Sequence, residues 1–183
     1  HEDDSDKLHK KVGLLVNSSP MILLQEKSQI VMTTLQAGDA APDFSGPISE
    51  DKTVSLADFS GKKLVLFFYP KDDTPGCTAE ACNLRDHYSE LREQGYELLG
   101  VSPDNLKKHN KFKDKYDLPF PLISDEDHSV MNAFGVWGPK KFMGREYDGV
   151  HRTTFVIDEA GKIEQVITKV KTKDHAAQIL QPA

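Results

Sequence analysis

The chain has two cysteines, Cys77 and Cys82, and both lie in the stretch YPKDDTPGCTAEAC that runs from Tyr69 to Cys82. Thiols serve as structural disulfides, metal ligands or reactive nucleophiles, and the surrounding residues decide which use the spacing permits. Pro70, Lys71, Asp72 and Asp73 close an apolar run, Thr74 suits a helix N-cap, and Pro75 suits the first helical position, where its missing N–H costs nothing. Cys77 then falls in the first helical turn, where unpaired backbone N–H groups and the positive end of the helix dipole favour a thiolate. Gly76 leaves room for a small oxygen-bearing substrate, with the loop amides and the Thr74 hydroxyl as candidate donors to it.

Helical spacing keeps the two thiols apart. Ala81, Leu84, Tyr88 and Leu91 continue from Cys77 along one apolar face, whereas Cys82 aligns with Arg85, Ser89 and Arg92 on a more polar one. Five residues along a helix place Cα atoms about 8 to 9 Å apart, beyond the roughly 7 Å limit for a disulfide without backbone movement. A permanent disulfide there is geometrically poor, and it closes only a small loop. Zinc needs about four ligands, and no second cysteine pair or histidine cluster stands at ligand spacing. The C-x-x-C arrangement of a dithiol exchanger is missing. On the residues alone, two ordinary cysteines packed in a core helix stay open as a reading, because free cysteine is among the most buried residue types.

The elements that must position this stretch are legible around it. LVLFFY (Leu64 to Tyr69) is a continuous apolar run suited to a strand buried on both faces, and Glu97 to Ser102, Pro121 to Ser124 and Thr153 to Asp158 repeat that signature. Between them the pattern predicts helices over Pro75 to Gln94, Asn105 to Tyr116 and Ser129 to Phe134, with a last one over Asp174 to Leu180. DEAGK (Asp158 to Lys162) carries turn chemistry and predicts a β-hairpin into KIEQVIT. Strands alternating with helices, then a hairpin and a final helix, predict a three-layer α/β domain with a central mixed sheet flanked by helices.

A length of 183 residues supports one full core. A net charge of −6 disfavours binding to nucleic acid or to anionic membrane through bulk electrostatics. No apolar run approaches the roughly 20 residues of a membrane-spanning helix, so no membrane partner is expected. Two cysteines are too few for a secreted disulfide framework, which points to a reducing, cytoplasmic compartment. Residues 1–36 have scattered charges and broken apolar clusters and read as a flexible or accessory extension, with MTTLQAGDAAPDF from Met32 as a natural start; residues 37–183 carry the regular pattern.

Pro70, Thr74 and Cys77 match the P-x-x-x-T-x-x-C signature of peroxiredoxins, and Cys82 falls where the Q-type branch, the bacterioferritin comigratory proteins, keeps its resolving cysteine. The stretches APDFSGPISEDKTVSLADFSGKKLVLFFYPKDDTPGCTAEACNLRD and FGVWGPKKFMGREYDGVHRTTFVID resemble that branch almost throughout, so the likeness covers about residues 35–180. It implies a thioredoxin-like fold and a thiol peroxidase acting on hydrogen peroxide and alkyl hydroperoxides. It further implies that Cys77 is oxidised to a sulfenic acid, that Cys82 resolves it as an intramolecular disulfide, and that thioredoxin or a similar dithiol recycles the pair. The chemistry needs no cofactor or metal and is compatible with a monomer. From spacing alone Arg152 reads as a surface arginine opening a strand; the resemblance places it beside the Cys77 sulfur. Pro70 then shapes and shields the pocket. A disulfide exchanger or a non-catalytic interaction protein on the same fold is the competing reading.

Other features carry less. Glu80 reads as a helix-surface carboxylate, and DEDH (Asp125 to His128) as a capping loop, since it lacks the glycine and later glutamate of a calcium loop. His87, His109, His151 and His175 show no catalytic arrangement along the sequence. Trp137 reads as packing, and Lys107, Lys108, Lys111, Lys113 and Lys115 as a solvated helix face.

Overall fold

A run such as Leu64–Phe68, apolar at every position, has no polar face to offer water and belongs in the middle of a sheet. It lies there in the computed structural model, which describes residues 33–181. In chain order the strands and helices are β1 (Ser45–Pro47), β2 (Thr53–Ser55), β3 (Lys63–Phe68), α1 (Pro75–Asp86), α2 (Tyr88–Glu93), β4 (Tyr96–Ser102) and α3 (Leu106–Tyr116). They continue with β5 (Leu122–Ser124), α4 (Ser129–Ala133), β6 (Trp137–Phe142), β7 (Arg145–Val150), β8 (Thr153–Ile157), β9 (Ile163–Ile167) and α5 (His175–Leu180). The central sheet is ordered β5-β4-β3-β8-β9. Strand β3 is parallel to β4 and β4 to β5, whereas β8 runs antiparallel to β3 and β9 to β8.

Alternate residues of β3 feed two cores. Val65 and Phe67, with Tyr69 beyond the strand end, pack with Cys77, Ala81 and Leu84 of α1, Leu91 of α2, Phe112 of α3 and Ile179 of α5. Leu64, Leu66 and Phe68 face Val130 and Met131 of α4, together with Phe44, Val54 and Phe134. The three-layer α/β arrangement expected from the sequence is present, with an uneven share of cover: four helices line one face, while the short α4 and the β1–β2 hairpin cover the other. Packing against the second core begins at Leu35, and Thr33 is already buried. Residues 33–36, expected to belong to the accessory extension 1–36, are thus part of the packed body, and the expectation for residues 1–32 lies outside the described residues.

Several elements differ from their sequence reading. The single helix expected over Pro75 to Gln94 is two, α1 and α2, broken at His87, whose backbone leaves the helical region and whose ring Nδ1 lies 2.9 Å from the Asn83 carbonyl. The β6–β7 hairpin was not expected. Its two-residue turn has positive φ at both Met143 (50°) and Gly144 (80°), the geometry of a type I′ turn without its usual Asn or Asp at the first position. Other readings stand. Asp125 accepts from the Val130 and Met131 N–H groups at 3.1 and 2.9 Å, so DEDH caps α4, and Trp137 stacks on His128 with ring centroids 3.6 Å apart.

Candidate active site

The site forms where β3 ends, and strand register explains its membership. In the antiparallel β3–β8 pair Phe68 stands opposite Thr153, so Arg152, immediately before β8, comes beside the chain as it leaves β3 for the loop to α1. Residues 75 apart in sequence thereby meet: Arg152 Nη2 donates to Cys77 Sγ at 3.1 Å. A guanidinium donor bonds a thiolate more strongly than a thiol, because the bond is then charge-assisted on both sides. Both cysteines are free, Cys77 buried and Cys82 half-buried. They share α1, whose spacing holds their Cα atoms about 8 to 9 Å apart.

Thr74 is the N-cap by backbone conformation, and Pro75 occupies the first helical turn. The side-chain half of the expectation is corrected. The Thr74 hydroxyl donates back to the Lys71 carbonyl at 2.8 Å and does not cap the helix. The first-turn amides beside Cys77 are thus left unbonded by that hydroxyl, whose oxygen keeps its acceptor capacity. Pro70 lies half-buried between β3 and the loop. Gly76 is close to the guanidinium: a Cβ built there would lie 3.4 Å from Arg152 Nη2.

Glu80 corrects the sequence reading most. It is 1% exposed, pairs with Arg152 Nη1, and leaves its Oε1 without a hydrogen-bond partner among the described residues. Burial pushes its pKa up to about 7, against the opposing pull of the Arg152 charge. Arg152, 22% exposed, is drawn down by burial but raised overall by the facing Glu80 and Cys77. The signal for Glu80 was its position: it stands three residues after Cys77 and four before Leu84, on the inward face of α1.

Sequence reasoning also missed the polar groups behind the site. His175 Nε2 lies 3.8 Å from Glu80 Oε1 and is hydrogen-bonded to the Thr154 hydroxyl at 2.7 Å, while its Nδ1 lies 2.8 Å from Gln178 Oε1. An amide oxygen only accepts, so Nδ1 carries the proton and Nε2 accepts from Thr154. Burial holds the His175 pKa below its ordinary value, which keeps the ring neutral beside Arg152. These partners come from β8 and α5, far away in sequence, and no local spacing could announce them.

The AhpC/TSA family profile matches residues 37–166. The chain belongs to the AhpC/TSA family. A putative peroxiredoxin, Bcp, of Haemophilus influenzae is 53% identical over 149 residues, which is 81% of this chain and 96% of that one. Peroxiredoxin Bcp of Bacillus subtilis is 48% identical over 148 residues, covering 81% and 94%. Among solved structures, the Xanthomonas campestris bacterioferritin comigratory protein, studied for its alkyl peroxide reduction activity, aligns with a TM-score of 0.70 and 34% identity over 80% of this chain and 92% of that one. The chain is a peroxiredoxin of the bacterioferritin comigratory branch, with the thioredoxin-like fold of that branch, and peroxiredoxins are thiol peroxidases. No helix among the described residues is long and apolar enough to cross a membrane.

Proposed function

We propose that Cys77 is the peroxidatic residue and that Cys82 resolves it. The observation that carries this reading is the 3.1 Å bond from Arg152 Nη2 to the Cys77 sulfur, at the first turn of α1. The Cys77 thiolate attacks one oxygen of hydrogen peroxide or an alkyl hydroperoxide. The S–O bond forms as the O–O bond breaks, and the departing oxygen takes a proton to leave as water or an alcohol. Arg152 and the free amides of the first helical turn stabilise the negative charge as it moves onto that oxygen. Thr74 orients the peroxide through its hydroxyl, and Pro70 keeps bulk water from the sulfur. The Cys82 thiolate then attacks the sulfenic sulfur, forming the disulfide and expelling hydroxide, which is protonated to water. Because α1 holds the thiols apart, its first turns open for this step.

Thioredoxin, or a similar dithiol protein, returns the pair to the reduced state in a reducing, cytoplasmic compartment, and one chain suffices for the cycle. The peroxidase unit takes in the packed residues 33–36 together with residues 37–183, and residues 1–31 are an accessory extension, so a chain shortened to begin at Met32 keeps its turnover. The test is consumption of hydrogen peroxide with thioredoxin, thioredoxin reductase and NADPH. Cys77→Ser abolishes turnover, while Cys82→Ser consumes about one equivalent of peroxide and then stops. Undiminished peroxide turnover by Cys77→Ser overturns the reading.

A further inference from the structure

The loop from β3 to α1 is tied to α3 at a point the peroxide chemistry does not use. Asp72, buried in that loop, gives its backbone N–H to Asp104 Oδ2 at 2.8 Å and accepts the Tyr69 hydroxyl on Oδ1 at 2.6 Å. Its Oδ2 lies 2.6 Å from Nδ1 of His109, a buried residue of α3 whose Nε2 is 2.9 Å from the Ile123 carbonyl of β5. A carbonyl only accepts, so Nε2 carries a proton, and a second proton must lie between Nδ1 and the Asp72 carboxyl. Asp104 is held in turn by the Ser102 hydroxyl at 2.8 Å. The ligand atoms of Asp72, Asp104 and His109 lie within 4.8 Å of one another, but the Nδ1 lone pair a cation would need is already turned to a proton shared with Asp72. The cluster is a hydrogen-bonded clasp.

The rest of α1 is anchored separately. Asn83 donates to the Lys173 carbonyl at 3.0 Å and accepts from the Ala176 N–H at 2.8 Å, and Arg85 Nη1 donates to the Tyr116 carbonyl at 2.7 Å. With the far half of α1 pinned to α5 and to the end of α3, the movement that brings the two sulfurs together falls to the loop and the first turns. The loop's other tie to α3, Asp73 with Lys115 Nζ and the Tyr116 hydroxyl, is exposed to water and holds weakly.

We propose that Asp72 and His109 are positioning residues whose buried hydrogen bond fastens the loop before Cys77 to α3, setting how often the helix start opens to deliver the Cys77 sulfur to Cys82. The proposal rests on the Cys77–Cys82 reading above and adds a control over its second step. Peroxide attack uses the closed state and disulfide formation the open one. Loosening the clasp therefore raises a minor open population without depleting the closed one, and the two steps separate.

The experiment times both steps after one equivalent of hydrogen peroxide, by rapid acid quench, alkylation and mass spectrometry. The first step is followed in a Cys82→Ser background and the second with Cys82 present. His109→Leu leaves Asp72 buried without its partner, and it is expected to speed disulfide formation about tenfold while the first step stays within about twofold. Asp72→Asn keeps the geometry, since the amide oxygen accepts from Tyr69 and the amide N–H donates to a neutral Nδ1, and it is expected to behave as the unsubstituted chain does. Asp72→Ala reads the clasp from the loop side should His109→Leu not fold, and Lys115→Ala, removing only the exposed tie, shifts either step by less than about twofold. An unchanged disulfide rate in both His109→Leu and Asp72→Ala overturns the clasp alone. Absence of any Cys77–Cys82 disulfide in the unsubstituted chain overturns the resolving step and the clasp's part in it together.

Discussion

A carboxyl group stripped of water holds its proton, and Glu80 is in that position with the Arg152 charge opposing it. Its pKa rises from 4.5 to about 7 on folding, so the native chain binds this proton more tightly than the unfolded chain does. The resulting stability is fully present below about pH 4.5 and is lost as pH rises through about 7. Urea unfolding of the reduced chain at pH 5 and pH 8 is expected to show a fall in stability larger by roughly 2 to 3 kcal/mol than in Glu80→Gln, where the group no longer titrates. On the proposed reading, Arg152 acts on rate. Arg152→Ala is expected to slow peroxide attack, followed in a single turnover, by about 100- to 1,000-fold, the scale of losing a preorganised donor. Arg152→Lys restores little of it, because a point charge cannot reach Glu80 and the Cys77 sulfur at once as the guanidinium fork does. At this scale the place of Cys77 in the first helical turn was legible because a strand end, a proline and a thiol stand in one continuous stretch, whereas the resolving role proposed for Cys82 came from family likeness alone. Arg152 was legible only through family likeness, and Glu80 was misread because one polar residue on an apolar helical face is ordinarily solvated.

The buried strands showed in the sequence as apolar runs, since a strand covered on both faces has no polar positions to blur it. Gly100 interrupts such a run for a packing reason. A Cβ there would lie 2.6 Å from Leu122 Cδ2 and 2.8 Å from Phe67 Cζ, atoms of the two flanking strands' side chains. Gly100→Ala is expected to destabilise the chain by about 1 to 3 kcal/mol, seen as a lower urea midpoint with an unchanged slope. The exposed elements were harder to read. Most of the β6–β7 hairpin faces water, with Phe142 and Met143 at its tip 65% and 87% exposed, so burial wrote no alternating pattern into it. The break at His87 depends on contacts made by a single residue, and helical periodicity runs across it without a change of phase.

Over the whole molecule, the sheet brings Arg152 to Cys77, while α3 and α5 hold the loop and the far half of α1. The three-layer order followed from alternating elements; which helices cover which face, and the buried polar ties between them, depend on pairings remote in sequence. On the proposed reading, this fold presents Cys77 to peroxide and withholds Cys82 until α1 opens. Peptide mapping by mass spectrometry, after one equivalent of hydrogen peroxide is added to the reduced chain, tests that division of roles most directly. The expected result is a Cys77–Cys82 disulfide within one chain and, in Cys82→Ser, a trapped sulfenic acid on Cys77. A sulfenic acid on Cys82 with Cys77 untouched, or a disulfide joining two chains, would contradict it.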